Sequence, residues 1–158
     1  IDLICSDHCP YTIESKEAGY ENIFAAPLGL SGVQTLYPAM YSEAVVRRGV
    51  TPQRFVQLMS ANPARIFGLY PRKGSLTIGA DADITLLDPA LTWTVTVEDA
   101  LHKHKWTPFA GKQITGRVKR TIRRGETIYD DTLEGESRVL AAAGSGTYLP
   151  RGYGELPA

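Results

Sequence analysis

Asp7, His8 and Cys9 stand side by side where an apolar run over residues 1–5 gives out. A carboxylate there can move a proton or hold a cation, an imidazole can donate to an oxygen, and a thiolate can attack a carbonyl. Each also has an ordinary use: Asp opens turns, His packs into them, and a small thiol fills a core. No triad-like pattern of His and acid accompanies Cys9, so it reads as a small buried thiol rather than a nucleophile. Asp81 and Asp83 resemble a carboxylate pair, but "GADAD" ahead of an apolar run reads as a turn entering a strand. Arg117, Lys119, Arg120, Arg123 and Arg124 form a basic run that suits the protection of an exposed sheet edge better than nucleic-acid binding.

The elements that must position these groups follow from periodicity. Residues 2–5 read as a buried strand, and a polar loop with Gly and Pro then runs to Gly29. A loop of that length is usually functional or mobile. Ser31 and Gln34 form a capping-box pattern, and Val33, Leu36, Tyr37, Met40, Tyr41, Ala44 and Val45 recur at helical spacing. This predicts one amphipathic helix, kinked at Pro38 and ending at Gly49. Thr51 with Pro52 predicts a second helix carrying Phe55, Val56 and Met59. Asn62 with Pro63 predicts a third that closes at Gly68.

After Tyr70, β-branched residues and turn glycines take over, which places a domain boundary there. Residues 84–87 and 93–97 read as two strands, and 118–122 with 127–129 as a hairpin turning at Arg124 and Gly125. From Glu134 the chain is rich in Gly, Ala and Pro, with Tyr148 and Tyr153, and reads as an extended, frayed tail. The expected division is therefore 1–70, 71–133 and 134–158.

Lys plus Arg number 17 and Asp plus Glu also 17. No net field therefore argues for nucleic acid or an anionic membrane surface as partner. Two cysteines, Cys5 and Cys9, are too few and too close for a disulfide framework, and a reducing, cytoplasmic setting is expected. No apolar run approaches the roughly 20 residues of a membrane span. No basic-then-apolar leader precedes Ile1, and the absence of an initiating Met suggests that residues are missing in front of it.

The segments "SDHCP", "GLSGVQTLYPAMYSEAVVRRG", "SANPARIFGLYPRKGSLTIGADADITLLD" and "WTPFAGKQITGRVKRTIRRGETIYDD" together resemble the C-terminal part of cyclic amidohydrolases. These are the dihydropyrimidinase, hydantoinase, allantoinase and dihydroorotase group of the amidohydrolase superfamily. The resemblance covers nearly all of residues 1–131. It implies an α/β fold: the C-terminal portion of a metal-dependent (β/α)8 barrel plus part of a small β-sandwich domain. In such barrels catalytic groups sit at the C-terminal ends of the strands.

By that resemblance Asp7 is the last-strand aspartate, a ligand to one of two divalent metal ions, expected to be zinc. It would take a proton from the hydroxide between them and hand it to the leaving amide nitrogen. His8 would bind a substrate carbonyl or carboxylate, or else pack outward as part of the turn. The backbone around Leu28 and Gly29 would hydrogen-bond the substrate's ring amide, although many relatives carry Asn where Leu28 stands. His102-Lys103-His104 spells the superfamily's His-x-His metal signature, but it falls far from the first barrel strand, in a Lys-rich stretch, and is expected to be a solvated loop.

The remaining metal ligands of the family have no substitute here. The expectation is a fragment, inactive alone, whose full-length form opens a hydantoin or dihydropyrimidine ring and assembles as a homodimer or homotetramer. Allantoin and dihydroorotate are alternative substrates, the latter disfavoured by the lack of an Arg near Asp7. A noncatalytic dihydropyrimidinase-like scaffold is the other reading, and the presence of Asp7 argues against it.

Overall fold

The computed structural model describes residues 1–152. Helices fill the first half and an antiparallel sheet the second, so the chain is α/β. Helix α1, Ile13–Glu17, is capped by Thr12, whose side chain accepts from the Ser15 amide. Helix α2, Val33–Met40, runs on through wide π-type turns over Tyr41–Arg47 and stops at Gly49. Pro38 sits within α2, where its missing N–H removes one i→i−4 bond, and the wide turns follow from Tyr41.

Helix α3, Pro52–Val56, opens as predicted: Thr51 Oγ1 accepts from the Arg54 amide at 3.2 Å and Pro52 takes the first turn. Asn62 and Pro63, in contrast, start nothing new. The chain continues from α3 through Gln57–Ala61 into α4, Asn62–Ile66, without a break. The Asn62 side chain donates instead to the Asp2 carbonyl at 2.8 Å. Phe55 is the most deeply buried helical side chain, with Tyr37 and Tyr41 edge-on to its ring at 5.1 and 5.6 Å.

Residues 2–5 form no strand. A strand exists only with a partner to complete its ladder, and among the described residues none lies beside this segment. It is tied to the helices instead, the Ile4 amide donating to the Leu58 carbonyl at 3.2 Å and Arg54 donating to the Ile1 carbonyl.

The sheet has the order β1-β2-β3, all antiparallel, from β1 (Ile84–Thr94), β2 (Gln113–Arg123) and β3 (Glu126–Asp130). Two strands expected separately merge into β1, whose register slips between Asp88 and Thr92. That slip accommodates Pro89, which has no ladder donor, and Asp88 Oδ1 takes the amides of Ala90 and Leu91. The β2–β3 hairpin turns at Arg124 and Gly125, both with positive φ.

Because β2 is the middle strand, its basic run guards no edge. Arg117 and Lys119 converge on Asp131, at 2.7 and 2.6 Å, and Arg120 pairs with Asp130 at 2.7 Å. The sheet and the helices meet where Ser42 Oγ accepts the Thr115 amide at 3.0 Å and the Tyr41 ring lies flush on Gly116. Asp81 and Asp83 both pair with Lys73, and Asp83 also accepts the Arg124 amide, so they staple the strand entry to the hairpin turn.

The tail is not frayed over its described part. Val139 bridges Tyr129, the Leu140 amide donates to the Ile128 carbonyl, and Arg138 pairs with Asp99 at 3.1 Å. Tyr153 lies outside the described residues. No helix among the described residues is long and apolar enough to cross a membrane.

Candidate functional site

Two stretches far apart in sequence, residues 7–9 and 28–33, lie against each other. His8 bridges Leu30 in parallel fashion, and the Cys9 amide donates to the Leu30 carbonyl at 3.2 Å. Gly29 makes the approach possible. At its φ of 124° an added Cβ would stand 2.4 Å from the Cys9 carbonyl oxygen, so only glycine fits without displacing that backbone.

Asp7 occupies the left-handed region, with φ 44°, an unusual conformation for a residue with a side chain. Its carboxylate is exposed and makes no hydrogen bond or ion pair to any described residue. Leu28 is 89% exposed, beside Gly29.

His8 is tied to the start of α2. Its Nδ1 accepts the amides of Gly32 at 3.1 Å and Val33 at 3.2 Å. With Nδ1 serving as acceptor, the neutral ring carries its proton on Nε2 and has only a donor left to offer. The capping box expected at Ser31 and Gln34 does not form. Gly32 is the N-cap residue, Ser31 is buried with its hydroxyl unpartnered, and Gln34 reaches across to the Leu101 amide and the Asp99 carbonyl. Local spacing could not reveal this, because the group that satisfies the helix amides comes from 24 residues earlier.

Two expectations about neighbouring side chains change. Cys5 and Cys9 are both exposed rather than buried. The neighbouring Cys9 thiol raises Tyr11 above the ordinary tyrosine value of 10.0. His102 is not solvated either. Its ring stands edge-on to His8 with centroids 6.1 Å apart, its Nδ1 is buried without a partner, and burial pushes its pKa below 6.5. The loop bearing it is drawn inward in part by Trp106, whose indole N–H donates to the Tyr11 carbonyl at 2.6 Å.

Of the groups predicted from sequence, the structure therefore brings His8 and Gly29 together and leaves Asp7 and Leu28 facing outward at the same place. Among the described residues no cluster of three His, Cys, Asp or Glu could hold a metal ion. Asp7 is a free oxygen donor, but one donor is not a metal site.

Comparison with known proteins defines the class. The Amidohydrolase family pattern matches residues 2–128, and the chain belongs to that family. It is 35% identical over 153 residues to a D-phenylhydantoinase of Escherichia coli O81 and 34% identical over 151 residues to an L-hydantoinase of Paenarthrobacter aurescens. Each alignment covers 96% of this chain and 32% of the relative. Among solved structures, the D-hydantoinase of Bacillus sp. AR9 superimposes with a TM-score of 0.84 at 32% identity, covering 98% of this chain and 33% of that one. The dihydropyrimidinase of Brevibacillus agri NCHU1002 superimposes at 0.85 and 30% identity, covering 99% and 33%. The chain thus spans about a third of the length of the curated relatives it matches.

Proposed function

We propose that this chain is the C-terminal part of a hydrolase that opens a cyclic amide, a hydantoin or a dihydropyrimidine, and that Asp7 is its proton-transferring carboxylate. In that reading residues 1–70 close a (β/α)8 barrel, residues 71–133 form part of a β-sandwich domain, and the first two thirds of the protein supply what this chain lacks. The observation that carries the proposal is Asp7 itself. Its carboxylate is exposed and has no partner among the described residues, in a left-handed backbone conformation. A structural turn aspartate would normally spend its oxygens on nearby amides, as Asp88 does here. Backbone left in a sparsely populated conformation is characteristic of functional sites.

The chemistry asks little more of these residues. A carboxylate at Asp7 takes a proton from the attacking water and returns it to the departing ring nitrogen, which cannot leave as an anion near neutral pH. Gly29 and Leu28 offer backbone groups to the ring amide. Two divalent cations, zinc in our reading, would supply Lewis-acid polarisation and an acidified water. Of their ligands Asp7 is the one this chain contributes, and the others must come from outside it.

The test uses the full-length protein. Purified with its metals, it is expected to open hydantoin or dihydrouracil, read as loss of ring absorbance. Asp7→Asn is expected to lower kcat by at least about a hundredfold, the usual contribution of general acid–base catalysis. A wild type that binds no metal and opens neither ring, yet assembles as a dimer or tetramer, would favour the scaffold reading. Ring opening confined to allantoin or dihydroorotate would reassign the substrate while keeping the class.

A further inference from the structure

We propose that His8 is a positioning residue, whose imidazole anchors the Asp7–Cys9 segment to the N-terminus of α2 and thereby sets the direction in which Asp7 is presented. The inference rests on the reading of Asp7 as the reacting carboxylate. Since the Asp7 side chain touches none of the described groups that could hold it by a hydrogen bond or ion pair, its direction is set by its backbone alone. That backbone is in the left-handed region, which an aspartate leaves readily unless its neighbours prevent it.

The constraints lie on the residues that follow. His8 Nδ1 accepts from Gly32 and Val33, Cys9 donates its amide to Leu30, and Gly29 allows the two backbones to close on each other. The ring is itself braced by the edge of His102.

The arrangement also answers a need of the helix. The first amides of α2 have no partner in their own helix, and the N-cap residue, Gly32, has no side chain to supply one. Ser31, the nearest hydroxyl, leaves its oxygen unpartnered. His8 fills that role from across the site, so the folding of the helix and the placement of Asp7 become one event.

Three variants of the full-length protein separate the two roles. The amide oxygen of His8→Asn can take the place of Nδ1, the amide of His8→Gln takes the place of Nε2, and His8→Ala supplies neither. Hydrogen exchange at Gly32 and Val33 is expected to quicken by about five- to tenfold in the Ala and Gln variants, the scale of losing a helix cap, and to be restored in the Asn variant. The kcat for ring opening is expected to fall in the same order with KM nearly constant, and 15N spectra of wild-type His8 should show the proton on Nε2. Should His8→Ala fail to fold, the Asn and Gln pair carries the comparison.

Unchanged exchange in the Gln variant would overturn the proposal, as would a rise in KM at constant kcat that Gln repairs and Asn does not. Exchange does not depend on turnover. A wild type without ring-opening activity would therefore overturn the role of Asp7, while the exchange order would still decide what His8 anchors.

Discussion

At the scale of single residues, the contacts around Gly29 and Asp130 have measurable consequences. Gly29→Ala places a methyl group against the Cys9 carbonyl in a conformation that L residues avoid. We expect it to destabilise the protein by about 1–3 kcal/mol in denaturant unfolding, with the loss concentrated in the pairing of residues 7–9 with Leu30. Asp130 accepts hydrogen bonds from the Thr132 hydroxyl and amide and from Arg120, and these hold its carboxyl at about 2, below the ordinary 3.8. A carboxyl depressed by folding stabilises the native state above its unfolded pKa, and that contribution is lost as pH falls toward the folded value. Tm should therefore drop between about pH 4 and about pH 2, and Asp130→Asn should flatten that part of the profile.

At the scale of elements, α3 and α4 make opposite predictions from similar sequences. Thr51 and Asn62 each precede a proline, but only Thr51 caps a helix end. Thr51→Ala should cost about 1 kcal/mol, the price of a lost cap. Asn62→Ala should cost about 0.5 kcal/mol or less, since the bonds it loses, to the Asp2 carbonyl and from Arg65, are both exposed. A thermal unfolding series on the two variants checks the contrast. Gly116 ties the helices to the sheet in the same way that Gly29 ties the site together. At φ 103°, with the Tyr41 ring against it, it lets β2 approach α2 closely enough for Ser42 to take the Thr115 amide.

At the scale of the whole chain, the described tail closes one side of the sheet. Val139 and Leu140 occupy the free edge of β3, and Arg123 and Arg124 hold Ser145 and Thr147. Removing residues 134–158 would expose that edge and leave Arg138's partner Asp99 unpaired. We expect a lower Tm and self-association visible by light scattering, because an open strand edge is a template for another. A role for the tail in a dimer or tetramer is a separate matter, and the mass of the truncated full-length protein measures it.

Much of the molecule was legible in the sequence because the relevant signals are local. The Thr51-Pro52 start, the stop glycines at 49 and 68, the Arg124-Gly125 turn and the helical spacing from Val33 all depend on the φ/ψ preferences and hydrogen bonds of residues within a turn or two of one another. Asp7 and Gly29 could be singled out from sequence for the same kind of reason, one as a polar stop to an apolar run and the other within a recurring family segment. Tertiary structure decided what depends on distant partners. Residues 2–5 have strand chemistry but no strand beside them, so they form none. Ser31 has capping chemistry, yet His8 reaches the helix amides instead. Basic residues on β2 read as edge guards until the sheet order places β2 in the middle, facing Asp130 and Asp131. His102 looked solvated until the fold left it half-buried, with its ring edge-on to that of His8. A side chain's type is written in the chain, but its hydrogen-bond partner is fixed only when separate segments close on each other, and at this site that partner determines how Asp7 is held.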